Sequence, residues 1–150
     1  MRLILGVALA GALAGCASSG PTGKDVLGAS AKTSAARLVI YRTSALGFAV
    51  QPDYLVDGRR VGKSQPNGFV VCDLAPGRHE VSVANPAGNV NFGGGSDKAS
   101  VVLKSGSTTY LVAEPKMGLT IGVITVANVP ETQGRSDTAA LHKTESSCGK

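Results

Sequence analysis

Tyr54-Leu55-Val56-Asp57-Gly58-Arg59-Arg60-Val61-Gly62 is the stretch whose reading decides the fold. Tyr54 to Val56 is short, apolar and β-prone. Asp57-Gly58 follows, and Arg59 to Gly62 returns. A two-residue Asp-Gly link between such runs signals a hairpin, because the turn that matches strand twist needs φ > 0 at both central positions. Outward from this hairpin the pattern repeats. Asn67-Gly68 marks a turn, and Phe69-Val70-Val71-Cys72-Asp73-Leu74 reads as a strand stopped by Pro76-Gly77. Proline presets the first central turn position, and glycine takes the left-handed second one. His79-Glu80-Val81-Ser82-Val83 then alternates, with Val81 and Val83 on one face.

Upstream, Arg37-Leu38-Val39-Ile40-Tyr41-Arg42 is β-rich, with both faces mainly apolar, and Ser44 to Gln51 is looser. Downstream, Asn85 to Asp97 is a loop rich in glycine and asparagine. Ala99 to Leu103 and Thr108 to Glu114 form a pair through Ser105-Gly106. Lys116-Met117-Gly118 interrupts, and Leu119 to Val126 reads as the last strand. Ser136 to Lys143 suits one or two helical turns, with Ser136 or Asp137 as cap and Lys143 near the negative end. The expectation is an all-β chain. It has a single β-sandwich of about seven or eight short antiparallel strands over residues 36–143, with that short C-terminal helix and a polar tail at 144–150.

Composition agrees with many turns and a valine-rich core. The 150 residues include 20 glycines and seven prolines, are 43% hydrophobic, and hold no tryptophan. Net charge is +5 and the pI is near 9.3. The cations are scattered, which argues against a nucleic-acid stripe and for a solvated surface.

The N-terminus carries a second message. Arg2 supplies a positive charge, and Leu3 to Gly15 then runs without one. As a helix that run reaches about 20 Å at 1.5 Å per residue. A bilayer core is about 30 Å thick, so the run is too short to span and fits a secretory signal over 1–15. Leu13-Ala14-Gly15-Cys16 resembles the bacterial lipobox. The resemblance implies that Cys16 is acylated and becomes the first residue of a lipoprotein carrying palmitate-type chains. Ala17 in place of aspartate implies sorting to the periplasmic face of the outer membrane. Residues 16–35 are small and polar, and read as a flexible tether spanning about 25 Å root-mean-square.

Two further cysteines, Cys72 and Cys148, remain in an oxidising compartment. Either they form a disulfide, or Cys72 is a buried thiol and the tail frays. Arg59, Arg60, Lys63 and Arg78 lie on adjacent expected hairpins. They either converge on an anion through charge-assisted bonds or stand apart as solvated edge-strand charge. His79 and His142 have no clustered partners for zinc, so no metal or other cofactor is expected. Asp53 and Asp57 are a weak carboxylate pair, since the turn already explains Asp57. Gly93-Gly94-Gly95-Ser96 lacks the following helix and lysine of a phosphate loop and reads as a loop tip.

Several stretches share an order and spacing with one family. They are Leu38 to Arg42, Tyr54 to Gly62, Leu74-Ala75-Pro76-Gly77-Arg78-His79, Thr109-Tyr110, Lys116-Met117-Gly118 and Gly134-Arg135. The chain resembles small uncharacterised bacterial envelope lipoproteins with a single domain of unknown function. Its hairpin and Pro-Gly pieces are similar to PEGA-type β-sandwich domains. The resemblance implies a periplasmic sandwich and supplies no activity. The functional expectation is a lipid-anchored, non-enzymatic domain acting on an unknown envelope protein. The alternative is a module that binds an anionic envelope component, peptidoglycan or lipopolysaccharide. Contact with the membrane runs through Cys16, and no contact with nucleic acid is expected.

Overall fold

The Asp57-Gly58 turn adopts the left-handed geometry its residues permit, with φ of 50° and 76°. It joins β2 (Asp53–Val56) to β3 (Arg59–Lys63). The computed structural model describes residues 18–28, 31, 34–86, 92–120 and 122–148. The other strands are β1 (Ala36–Arg42), β4 (Gly68–Leu74), β5 (Gly77–Val83), β6 (Lys98–Leu103), β7 (Thr108–Lys116), β8 (Val123–Val129) and β9 (His142–Lys143). Two helices, α1 (Gly23–Leu27) and α2 (Glu131–Thr138), complete the described elements.

The strands form two sheets, as an all-β sandwich requires. One has five strands in the order β8-β7-β1-β4-β9, and the other has four in the order β3-β2-β5-β6. Most pairs are antiparallel. β1 with β7 and β4 with β9 are parallel, so the five-stranded sheet is mixed. Leu38 and Ile40 of β1, Val70 of β4 and Leu111 of β7 meet Tyr54, Val56, Val81, Val83 and Val101 of the facing sheet in one apolar core. Asn85 links the two layers at one margin, donating to the Ile124 carbonyl at 2.7 Å and accepting from the Ile124 amide at 2.8 Å.

The doubly apolar β1 run has a structural reason. Val39 and Tyr41 point away from the sandwich core into a second cluster with Phe69, Tyr110, Leu27 and Leu141. α1 and α2 cover this outer face, so β1 is buried on both sides. Gly134 permits the approach, because a Cβ there would overlap the Tyr110 side chain. Tyr41 donates its phenol to Asp137 at 2.6 Å and ties α2 to the sheet.

The structure departs from the sequence expectations at the tether, at the C-terminal helix and at β6 and β7, an expected pair whose strands lie in different sheets. Part of the stretch expected as a tether is seated on the domain. Ser18 is buried and donates to the Pro66 carbonyl at 3.0 Å, Thr22 bridges His142, and Leu27 is buried in the outer cluster. Val26 and Leu27 pack it, backbone bonds from Gly23 to Leu141 and from Lys143 to Pro21 hold it, and Asp25 closes the helix start by accepting from the Thr22 amide and hydroxyl. The C-terminal helix lies at Glu131–Thr138 rather than 136–143. Asp137 holds Tyr41 instead of capping, and Lys143 belongs to β9. The tail from Thr144 to Ser147 bonds to Phe69, Val61 and Arg60, so it runs along the open margin between β4 and β3.

The registers sort the connections by end. β1 and β7 run in parallel to Arg42 and Lys116, Gly68 opposes Arg42, and Val123 opposes Lys116. The described residues of connections 43–52, 64–67, 84–97 and 117–122 therefore share one end of the sandwich. The Asp57-Gly58 tip, Pro76 and Lys104 to Ser107 occupy the opposite end.

Candidate functional site

Cys16, the lipidation candidate, lies outside the described residues. The first described residue, Ser18, stands two positions after it and is fixed to the 64–67 connection.

The four candidate basic residues do not converge on one point. Arg59, Arg60 and Lys63 are spread along edge strand β3, and Arg78 is on β5, with β2 between them. Arg60 Nε lies 2.8 Å from Asp53, and Arg78 donates to Ser100 Oγ at 3.2 Å. Arg60 and Lys63 do border a shared cavity of about 360 Å³, together with Gln65, Thr144 and Glu145. Asp53 and Glu145 place negative charge beside those cations, so this cavity has a mixed electrostatic character.

The two carboxylates weighed as a pair are separated by the length of β2 and have different partners. Asp53 pairs with Arg60, whereas Asp57 meets His79 Nδ1 at 2.7 Å and accepts from the Glu80 amide at 3.0 Å. The Glu80 amide, and then His79, hold the Asp57 carboxyl below its ordinary pKa. His79 Nε2 lies 2.9 Å from the Ala75 carbonyl. Both ring neighbours accept, so both contacts are complete as hydrogen bonds when both nitrogens carry protons. Desolvation pulls the His79 pKa down, but the bonds to Asp57 and Ala75 outweigh it and leave the pKa raised. With both nitrogens engaged, the ring offers none to a substrate. It pins the hairpin tip to the β4–β5 turn. His142 likewise bonds the Gly20 carbonyl at 2.7 Å. Among the described residues, no three His, Cys, Asp or Glu side chains gather as a metal site.

Cys72 and Cys148 are joined by a disulfide with Cα atoms 5.3 Å apart. It clamps the tail across the β3–β4 margin. The Gly93 to Ser96 loop leads into β6, a strand, and its backbone is tied to β8 through Ser96 and Val126.

Two features escape a reading of strand patterns. The first is Arg42, fully buried at the end of β1. Its guanidinium donates to the carbonyls of Ser44, Leu46, Gly47, Val50 and Ser64. Desolvation lowers its pKa, and Tyr54 offsets part of that effect. No carboxylate appears among these partners. The cation instead organises the 43–52 connection around itself. A cation closing an apolar strand was the visible signal. The second is a set of exposed apolar side chains. Leu46, Phe48, Phe92, Met117 and Leu119 are each at least 60% exposed. All five sit on the connections of one end. Val102, on the outside of β6 and 58% exposed, is the other exposed large hydrophobic among the described residues. Leu46, Gly47, Pro115 and Met117 line one shallow cavity of about 310 Å³, and the Phe92 amide donates to the Met117 carbonyl at 3.0 Å.

Residues 32–125 match the family described as "Protein of unknown function (DUF2846)". That span covers most of the sandwich, and the chain belongs to this family. It is also 25% identical over 105 residues to an uncharacterized protein of Haemophilus influenzae, covering 70% of this chain and 58% of that relative. The chain therefore spans little more than half the length of that relative. No solved structure matches.

Proposed function

We propose that this member of the DUF2846 family is a lipid-anchored envelope protein whose domain acts by contact rather than by catalysis. The carrying observation is Leu13-Ala14-Gly15-Cys16 at the end of a short apolar run. The seated segment that follows supports it, since a folded domain begins within two residues of the cysteine. Three chains on one cysteine give a stable anchor, at roughly 0.8 kcal/mol per buried methylene, where one chain binds only reversibly. Ala17 directs this reading to the periplasmic face of the outer membrane. The His79–Asp57 contact favours a non-catalytic role, because its ring nitrogens are both occupied. Fractionation tests the anchor. Cys16→Ser is expected to leave a folded, soluble protein, and its retention in the membrane fraction would refute the reading.

A second reading rests on the cavity beside Arg60 and Lys63. It takes an anionic polymer, peptidoglycan or lipopolysaccharide, as the contact. Salt-sensitive co-sedimentation with purified polymer, lost in Lys63→Glu, supports it. Equal binding by both proteins at low salt removes it.

A further inference from the structure

We infer that the end of the sandwich bearing Leu46, Phe48, Phe92 and Met117 is a bilayer-docking face that lies in the lipid interface. The inference rests on the proposed acylation of Cys16 and goes beyond it by orienting the domain. Ser18 is fixed to the Pro66 and Asn67 carbonyls, in the connection that shares its end with 43–52, 84–97 and 117–122. Only Ala17 separates Ser18 from Cys16, and an extended chain covers at most about 7 Å over those two steps. A lipid-bearing Cys16 therefore enters the bilayer beside this end and nowhere else on the domain. From β4, next to Ser18, to β8 is three strand spacings, about 14 Å. The whole end is thus held close to the headgroups.

The surface chemistry agrees with that constraint. Soluble domains rarely gather large exposed apolar groups in one place. Here Leu46, Phe48, Phe92 and Met117 are exposed by 72%, 69%, 64% and 76% on three adjacent connections of this end. Their neighbours are conformationally anchored rather than loose. Arg42 holds the carbonyls of Leu46 and Gly47 from below, and the Met117 carbonyl holds Phe92. The result is a set of apolar tips on a rigid base. Such groups lower their free energy by entering the headgroup and acyl boundary, about 5–10 Å deep. The flexible-tether picture predicts no preferred orientation. A seated Ser18 imposes one.

The chain has no tryptophan, so a single introduced indole reports its own surroundings. Acylated full-length protein carrying Phe48→Trp, and separately Met117→Trp, is reconstituted into vesicles of phosphatidylethanolamine and phosphatidylglycerol. A fraction of the lipid carries brominated chains. Val102→Trp is the control at the far end, since Val102 is 58% exposed and opposes Arg78. The expected result is a blue-shifted emission that loses at least about half its intensity to the bromines for Phe48→Trp and Met117→Trp, consistent with that depth. No loss is expected for Val102→Trp. Vesicle-bound, acylated protein whose indoles at 48 and 117 are unquenched overturns the orientation and leaves the anchor intact. A blue shift without quenching does the same, and assigns the face to a second copy or another protein. A mature chain without acyl mass removes the anchor, and the orientation with it.

Discussion

Leu27→Ala separates a seated N-terminal segment from a tether. Leu27 is 6% exposed and packs with Val39, Tyr41, Phe69, Tyr110 and Leu141 over the outer face of β1. Truncation removes apolar burial and leaves a cavity, which in buried sites costs roughly 2–5 kcal/mol. The helix is short and lies in a covering layer that can partly collapse, so the lower part of that range, about 2–3 kcal/mol, applies. For a domain of this size each 1 kcal/mol moves Tm by about 4 °C. The expected fall is therefore about 8–12 °C. Thermal and urea unfolding of the oxidised Cys16→Ser chain, followed by circular dichroism, measures it. Lys24→Ala is the control on the exposed side of the same helix. A Leu27→Ala change within about 0.5 kcal/mol of the parent, the range of ordinary surface substitutions, would refute the packing. It would restore a free tether.

Other consequences concern single contacts. Gly134→Ala forces a Cβ into the Tyr110 ring, and overpacking of this kind costs roughly 1–3 kcal/mol. The overlap involves three Tyr110 atoms, so the upper part of that range applies and exceeds the roughly 1 kcal/mol of helix propensity gained, and calorimetry is expected to show a lower Tm. Arg42→Met leaves five backbone carbonyls without their donor. Limited proteolysis should then cut the 43–52 connection, and an unchanged digestion pattern counts against the cage. Cys148→Ser releases a loop of 76 residues. In the chain-entropy picture the loss is about 4 kcal/mol, and reduction of the parent should match it in urea midpoint. The Asp57–His79 contact gives a pH signature. Depressed Asp57 contributes above its unfolded pKa of about 3.9 and loses that contribution as pH falls through its lower folded value. Raised His79 contributes fully below about 6.5 and loses that contribution as pH rises through its higher folded value. The stability difference between parent and Asp57→Asn is therefore largest between about pH 4 and 6.5. It stays under about 1 kcal/mol for so exposed a partner, and equal differences at pH 6 and pH 9 would exclude the pairing.

The strands were legible because their turns carry local chemistry. Asp57-Gly58 needs left-handed backbone and has it, and the apolar alternation of Val81 and Val83 points into the core as its period implies. The two apolar faces of β1 were also visible. What covered the second face was not. α1 contributes only Val26 and Leu27, amid small polar residues whose composition resembles a linker. Ser136 and Asp137 look like caps and point to a helix after them, while Gly134 inside the true helix serves a close approach to Tyr110 seen only in three dimensions. Parallel pairing of β1 with β7 depends on distant residues and leaves no local mark. For the candidate site, sequence order placed Arg59, Arg60, Lys63 and Arg78 on neighbouring hairpins. Sheet order then put β2 between them. Leu46, Phe48, Phe92 and Met117 are far apart in the chain, so only the topology shows that their connections share an end.

The chemistry of Cys16 decides both the anchor and the orientation that follows from it. Intact-mass and peptide mass spectrometry of protein extracted from membranes tests it directly. The predicted result is a mature chain beginning at Cys16 and carrying acyl groups on its sulfur-linked glyceride and its amine. A mature chain that begins elsewhere, or a Cys16 with a free thiol in membrane-extracted protein, would contradict it.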